Sequence, residues 1–238
     1  MAAIRERVFV WLGGVMFVAS LAFCAYSYLV HWSGGREPLV HVAFGLAEPG
    51  PPAAIFDAIL VSLFAAHHSV FARERVKQAL AQALPERLVR TVYVWTASLL
   101  LLIVCALWQP IGGDAYQVTG WRAMIHLALQ ASGVWLIAQS VRVIDALELA
   151  GIRRRPATGD LQMAGPYGFV RHPLYLGWML ATFAAAHMTI DRLAFAVLTT
   201  AYLVVAIPWE ERALIAVFGR EYQAYQRRVR WRVLPYVY

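Results

Sequence analysis

Residues 90–108 read RTVYVWTASLLLLIVCALW, and the only charged residue in this stretch is the arginine at its start. An α-helix rises about 1.5 Å per residue, so about 20 apolar residues cross the roughly 30 Å hydrocarbon core of a bilayer. A strand of a membrane barrel would alternate polar and apolar residues, and this stretch does not. Residues 90–108 are therefore predicted to form a membrane-spanning helix.

The rest of the chain repeats this pattern. Of its 238 residues, 61% are hydrophobic and only 15% are charged, which is too few to cover a water-soluble globule. Further apolar runs occur at residues 8–30, 53–70, 122–145, 174–189 and 193–209. We therefore predict an all-α fold, a single membrane domain over residues 1–238 with about six transmembrane helices. A C-terminal amphipathic helix over residues 210–231 is expected to follow them.

The first and last runs carry additional information. Arg5 and Arg7 flank the first run, which lacks a small-residue cleavage site and is predicted to stay in the protein as a span. The last two runs are short, and only residues 189–192 separate them. We expect these two runs to form a tight helical hairpin.

Basic residues are concentrated on one side of the predicted membrane. With a cytoplasmic N-terminus, the loops at 71–90 and 146–173 and the C-terminal tail all lie inside, and only Arg36, Arg122 and Arg192 lie outside. This distribution follows the positive-inside rule, so the net charge of +7 is explained by topology and lipid headgroups. We predict an integral protein of the bacterial inner membrane with both termini cytoplasmic. Membrane lipids are the expected neighbours, with no nucleic acid and no protein partner.

Cysteine and histidine do not indicate a metal site. Cys24 and Cys105 both fall inside predicted spans without metal-ligand spacing, which is typical of small buried apolar residues. The seven histidines suggest a haem or quinone protein as an alternative, but axial ligation needs histidines that meet within the bundle. The histidines instead fall near the two faces, His31, His41, His126 and His187 at the outer one and His67, His68 and His172 at the inner one.

Residues 165–177, GPYGFVRHPLYLG, interrupt the apolar sequence just before the fifth run. Glycine and proline suffice for a turn, so Arg171 and His172 call for another explanation. Glu210 and Glu211 follow the sixth run, and the predicted hairpin would bring them to the same end as Arg171 and His172. We predict a pocket rimmed by these four side chains. Helix punctuation with snorkelling basic residues, or a structural ion pair, remains an alternative.

An apolar stripe continues into the tail. Its members, spaced by 4, 4, 3 and 4 residues, are Leu214, Phe218, Tyr222, Tyr225 and Val229. Such spacing predicts one apolar face on a basic helix that lies at the bilayer surface and covers the pocket. A simple membrane anchor would show the same pattern.

GPYGFVRHPLYLG, followed some thirty residues later by EERALIAVFGREYQAYQRRV (residues 210–229), resembles the superfamily of isoprenylcysteine carboxyl methyltransferases and phospholipid methyltransferases. The resemblance implies a membrane methyltransferase that uses S-adenosylmethionine. It also implies the residues that bind this cofactor, namely Tyr167, Arg171, His172, Pro173, Tyr175, Gly177, Glu210, Glu211, Tyr222 and Tyr225.

Other stretches resemble the methanethiol S-methyltransferase and NnrU-like branch, including HHSVFARERVK (residues 67–77) and VRVIDALELAGIRR (residues 141–154). This resemblance covers about residues 55–235 and implies methylation of the sulfur of a small thiol such as methanethiol. A phospholipid or isoprenylcysteine acceptor is the runner-up. A non-catalytic NnrU-like accessory protein is a further alternative.

Methylation of a thiol would require groups that favour the thiolate, because the thiolate is the nucleophile. The candidates His68, Arg142 and Asp145 lie near the predicted cytoplasmic ends of the second and fourth spans. An ion pair between Arg142 and Asp145, or an interfacial histidine cluster, explains these residues without catalysis. No G-x-G-x-x-G motif is present, so we expect helix ends to hold the cofactor.

Overall fold

The structure is a computed structural model that describes residues 2–34, 50–71, 73–153 and 160–238. Arg36 and His41, which the sequence analysis assigns to the outer side, lie outside these residues. The chain divides into two compact units. Unit 1 comprises Met1–Gly113, Leu147–Arg154 and Thr189–Arg192, and unit 2 comprises Asp114–Ala146, Arg155–Met188 and Leu193–Tyr238.

The described residues are mostly helical. The α-helices are α1 (Ala2–Leu29), α2 (Pro51–Phe71), α3 (Glu74–Ala83), α4 (Glu86–Leu107), α5 (Gly120–Ile144), α6 (Ala146–Leu149), α7 (Pro173–Phe183), α8 (Ile190–Phe218) and α9 (Arg220–Arg228). Two short 3-10 helices cover His31–Ser33 and Gly165–Gly168. The strands β1 (Asp114–Gln117) and β2 (His187–Thr189) pair in a two-stranded sheet.

Five helical segments within the described residues are long and apolar enough to cross a membrane. They are Ile4–Ser33, Pro51–Phe71, Leu88–Leu107, Gly120–Ile144 and Ile190–Phe218. The predicted all-α, polytopic membrane fold is therefore confirmed. That residues 1–238 form a single domain stays a prediction.

The boundaries of the predicted fifth span differ from those observed. The run at residues 174–189 is helical only as far as Phe183, and α7 has 11 residues. A helix of this length covers only about half of the hydrocarbon core. The run ends early because residues 187–189 form β2, and the N–H of Val118 donates to the carbonyl of Ala186 at 2.9 Å.

The last long helix also differs from its predicted limits. α8 begins at Ile190, continues through Pro208 and ends at Phe218, whereas the predicted span covered residues 193–209. Asp191 lies in its first turn and accepts the indole N–H of Trp108 at 2.9 Å and the backbone N–H of Ile111 at 3.0 Å. These hydrogen bonds hold the first turn of α8 to other residues of unit 1. Gly219, with φ +53, ends α8 and separates it from α9.

Within unit 1, helix α4 packs against α1. The indole N–H of Trp95 donates to the carbonyl of Phe9 at 3.2 Å, and the rings of these two residues stack. Cys24 and Cys105 are both buried, as expected for small apolar residues of spans.

Within unit 2, helices α5 and α7 cross at two glycines. A Cβ atom on Gly177 would lie 2.8 Å from the carbonyl oxygen of Gly133 and 2.9 Å from the backbone nitrogen of Ile137. A Cβ on Gly133 would likewise lie 2.7 Å from the carbonyl oxygen of Gly177. The absence of side chains thus lets the two backbones touch, and this contact fixes the short helix whose first turn carries the candidate site.

Candidate functional site

The segment that precedes α7 is held by backbone pairing with the C-terminal residues of the chain. The N–H of Arg171 donates to the carbonyl of Trp231 at 2.9 Å, and the N–H of His172 donates to the carbonyl of Arg232 at 2.8 Å. Pro173 then occupies the first helical position, where a missing N–H costs nothing. The Arg171–His172 pair is therefore fixed at the N-terminus of α7, and both residues are buried.

Glu211 of α8 lies at the centre of a buried charge cluster. Its Oε1 is 2.6 Å from Nε of Arg171 and 3.4 Å from Nε2 of His172. Its Oε2 accepts Nε2–H of Gln226 at 3.3 Å and lies 3.4 Å from Nε of Arg232. Both oxygens of this carboxylate are thus occupied by groups of the protein.

Arg171 is likewise engaged within the protein. Besides Glu211, its guanidinium donates through Nη1 to the carbonyls of Val229 and Arg230, each at 2.8 Å. Arg171 was predicted to lie on the rim of a pocket with the two glutamates, and these residues do lie together in the structure. However, most of the hydrogen-bonding capacity of Arg171 serves unit 2 itself.

Glu210 differs from its neighbour because successive residues of a helix point about 100° apart. Its side chain is 44% exposed, against 6% for Glu211. Its Oε2 accepts the hydroxyl of Tyr175 at 2.7 Å and lies 3.6 Å from Nδ1 of His172. The Oε1 atom has no hydrogen-bond partner among the described residues. Glu210 is therefore the carboxylate that remains available to a ligand.

Aromatic rings lie beside Glu210, and two of them stack on each other. The imidazole of His172 stacks on the ring of Tyr175, with 5.3 Å between centroids and 13° between planes. Burial, followed by the charge of Glu210, raises the pKa of Tyr167.

The tail packs on the same site. The residues of the predicted stripe pack together, with Tyr222, Tyr225 and Val229 buried against Leu214 and Phe218. The tail helix predicted over residues 210–231 is divided at Gly219, so Leu214 and Phe218 lie on α8, whereas Tyr222 and Tyr225 lie on α9. Leu161, Met163 and Ile215 complete this cluster, so the face is covered by unit 2 itself. The hydroxyl of Tyr225 donates to the carbonyl of Tyr167 at 2.7 Å. Burial raises the pKa of Tyr225 to about 12 and also raises that of Tyr222.

The three acceptor-side candidates lie on other elements. His68 is on α2 in unit 1, where its Nδ1 is 3.3 Å from the carbonyl of Phe64 and its ring meets that of Tyr93 edge-on. Arg142 is exposed in the last turn of α5 in unit 2. Asp145 is the residue at which α5 ends, with a φ of +83 that is unusual for a non-glycine residue. Arg142 and Asp145 therefore do not lie on one uninterrupted helix.

Two contacts of Glu211 are absent from the sequence analysis. Gln226 follows Tyr225 in α9, and only its position next to the apolar stripe could have indicated this contact from the sequence. Arg232 is one of several basic residues of the tail, which were attributed to topology. Its contact with Glu211 depends on the backbone pairing between the chain terminus and Arg171–His172.

Comparisons with known proteins show which sequences this chain resembles. The sequence model of the isoprenylcysteine carboxyl methyltransferase (ICMT) family matches residues 126–216. Methanethiol S-methyltransferase 2 of Bradyrhizobium diazoefficiens is 41% identical to the chain over 196 residues, which are 76% of this chain and 75% of that protein. Methanethiol S-methyltransferase of a Pseudomonas species is 35% identical over 211 residues, 85% of this chain and 81% of that protein.

A more distant relative belongs to another group. The Nurim homolog of Drosophila melanogaster is 28% identical over 173 residues, which are 64% of this chain and 66% of that protein. No solved structure matches the chain.

Proposed function

The chain belongs to the isoprenylcysteine carboxyl methyltransferase family of membrane methyltransferases, and from this membership we propose that it transfers a methyl group from S-adenosylmethionine to the sulfur of a small thiol such as methanethiol. The thiol acceptor is supported by the two relatives that carry the name methanethiol S-methyltransferase and align with at least three quarters of this chain. A phospholipid or an isoprenylcysteine remains the alternative acceptor.

The main support for the proposed donor site is the difference in exposure between the two adjacent glutamates. Glu211 is buried with both oxygens occupied, whereas Glu210 is 44% exposed and keeps Oε1 free within the described residues. The donor has an ammonium group and ribose hydroxyls, all of which are hydrogen-bond donors that suit an open carboxylate. The residues present therefore fit this cofactor, with Glu210 as its main polar contact.

The aromatic residues suit the rest of the donor. Tyr175 donates to Glu210, and its ring stacks on His172. Electron-rich ring faces attract cations, so Tyr167 and Tyr175 are proposed to accommodate the positively charged sulfur or the adenine. Four further residues support the site by packing, namely Tyr222, Tyr225, Pro173 and Gly177. The backbone of α5 occupies the space that a Cβ of Gly177 would need, and the two tyrosines of α9 are buried against the end of α8.

When bound, S-adenosylmethionine supplies an electrophilic methyl group on a positively charged sulfur. The protein must hold and align the reactants, which is worth on the order of 7 to 11 kcal/mol for well-oriented groups. The Arg171–Glu211 pair provides a rigid frame for this purpose. A thiol acceptor must also lose its proton, and we retain His68, Arg142 and Asp145 as the proposed acceptor-side groups.

The proposed location is the bacterial inner membrane, with both termini cytoplasmic. The concentration of Lys and Arg on one side of the predicted spans supports this orientation. A cytoplasmic donor site agrees with it, since the donor is a water-soluble metabolite. Alkaline phosphatase fused after Tyr238 should be inactive, and an active fusion would contradict the orientation.

The proposed function is tested by methyl transfer with purified full-length protein. Labelled S-adenosylmethionine is supplied together with methanethiol, larger thiols, a phospholipid or a prenylcysteine. We expect label on the small thiol, with transfer at low donor concentration reduced about tenfold or more in Glu210→Gln and retained in Glu221→Gln, an exposed glutamate of α9. Label on the lipid or the prenylcysteine alone would identify that molecule, and not a small thiol, as the acceptor. No donor binding by the parent protein would favour the accessory role.

A further inference from the structure

We infer that Arg232 is a positioning residue of the donor site, which holds Glu211 in place and thereby makes the C-terminal segment (residues 229–238) a working part of that site. The inference rests on the proposed function, because it concerns the affinity for S-adenosylmethionine. It goes beyond the motif residues, since Arg232 lies outside both halves of the motif at residues 165–177 and 210–229.

The side chain of Arg232 contacts Glu211 on the oxygen opposite to Arg171. Nε of Arg232 lies 3.4 Å from Oε2 of Glu211, whereas Nε of Arg171 lies 2.6 Å from Oε1. The only other contact of Oε2 in the described residues is the amide of Gln226, at 3.3 Å. Without Arg232, one oxygen of a buried carboxylate would keep only a neutral and rather long hydrogen bond.

The charges around the site suggest a role for the second guanidinium. Glu210 and Glu211 are adjacent carboxylates, and Arg171 is the buried cation that contacts one of them. Arg171 also supplies hydrogen bonds to the carbonyls of Val229 and Arg230. The positive charge of Arg232 beside Glu211 offsets the repulsion between the two carboxylates. Glu210 can then remain oriented toward a ligand through Tyr175.

The backbone of Arg232 is held independently of its side chain. Its carbonyl accepts the N–H of His172 at 2.8 Å, and its N–H donates to the carbonyl of Tyr238 at 2.9 Å. The guanidinium also lies 4.9 Å from the ring centre of Tyr238. A substitution at this position therefore removes the charge while leaving the pairing that positions His172. Because these backbone hydrogen bonds do not depend on the side chain, the role of the guanidinium can be tested without disrupting the C-terminal segment.

The test uses the full-length protein and measures S-adenosylmethionine binding by calorimetry, kinetics with the thiol, and thermal unfolding. Arg232→Ala is expected to weaken donor affinity about three- to fivefold, the loss typical of one partly exposed ion pair. The donor KM should rise in parallel while kcat at saturating donor stays close to that of the parent. Arg232→Lys should recover part of the affinity. The matched control is Arg227→Ala, which removes an equal charge from an exposed position of α9 and should leave donor affinity unchanged.

A double-mutant cycle tests the route through Glu211. If Arg232 acts by holding this carboxylate, Arg232→Ala should add little to the effect of Glu211→Gln. Unchanged donor affinity in Arg232→Ala, an equal loss in Arg227→Ala, or additive effects in the cycle would each overturn the inference. A parent protein that binds no S-adenosylmethionine would instead overturn the proposed function on which the inference rests.

Discussion

Nε of Arg171 lies 2.6 Å from Oε1 of Glu211, and the two side chains are only 7% and 6% exposed although they are separated by 40 residues of sequence. A buried ion pair is stable only when its remaining polar atoms are also hydrogen-bonded. Carbonyls of Val229 and Arg230 meet this need for Arg171, and the amide of Gln226 meets it for Oε2 of Glu211, which also lies 3.4 Å from Nε of Arg232. The pair thus joins α7, α8 and the C-terminal segment.

Glu211→Ala should destabilise the protein strongly. It leaves Arg171 as an uncompensated buried charge, a change that typically lowers the free energy of unfolding by about 3–5 kcal/mol. Unfolding in detergent measures the effect. Glu210→Ala is the control, since a half-exposed carboxylate should cost less than about 1 kcal/mol. Equal losses in the two variants would contradict the assignment of Glu211 as the buried member.

Glu210→Gln should affect binding and leave stability almost unchanged. The amide keeps the shape but loses the charge that favours an ammonium donor, so S-adenosylmethionine affinity should fall about tenfold or more. Calorimetry on the purified protein measures this loss. Glu221→Gln makes the same chemical change on an exposed part of α9 and should bind as the parent does. Similar losses in both variants would indicate a general charge effect.

Gly177→Ala should weaken the crossing of α5 and α7. The new methyl group would lie 2.8 Å from the carbonyl oxygen of Gly133, a backbone atom that cannot move aside. Overpacking of this kind typically costs about 1–3 kcal/mol. Gly168→Ala is the matched control, because the nearest atom to its Cβ would lie 3.9 Å away. A parent-like unfolding midpoint in Gly177→Ala would argue against the close crossing.

Tyr225→Phe should cost about 1 kcal/mol of stability, because it deletes the hydroxyl that donates to the carbonyl of Tyr167 at 2.7 Å. Tyr222→Phe provides the comparison within the same cluster, since the Tyr222 hydroxyl has no hydrogen-bond partner among the described residues. Thermal unfolding of the two variants should therefore differ. Equal midpoints would show that the bond to Tyr167 contributes nothing.

The sequence allowed the long helices to be predicted because unbroken apolar runs carry the signal of a span. It did not reveal the end of α7 at Phe183, since the residues that follow are still apolar and the strand pairing of β2 with β1 joins segments about seventy residues apart. Pairing between distant segments leaves no local pattern.

The convergence of Arg171, His172, Glu210 and Glu211 was predicted correctly, because the two stretches that carry them lie at the same end of neighbouring helices. The sequence does not show which of the two adjacent glutamates is buried. Their difference arises from the rotation of α8 relative to Arg171. The role of Arg232 was hidden for a similar reason, since it depends on backbone pairing at the end of the chain.

The most direct test of the donor site is an experimental structure of the protein with bound S-adenosylhomocysteine, the product of the donor. We predict that the ligand lies beside Glu210 and Tyr175, with its amino group or ribose hydroxyls within about 3.2 Å of the Glu210 carboxylate. The Arg171–Glu211 pair should remain intact beneath it. A ligand bound elsewhere, or one that displaces Arg171 from Glu211, would contradict the account.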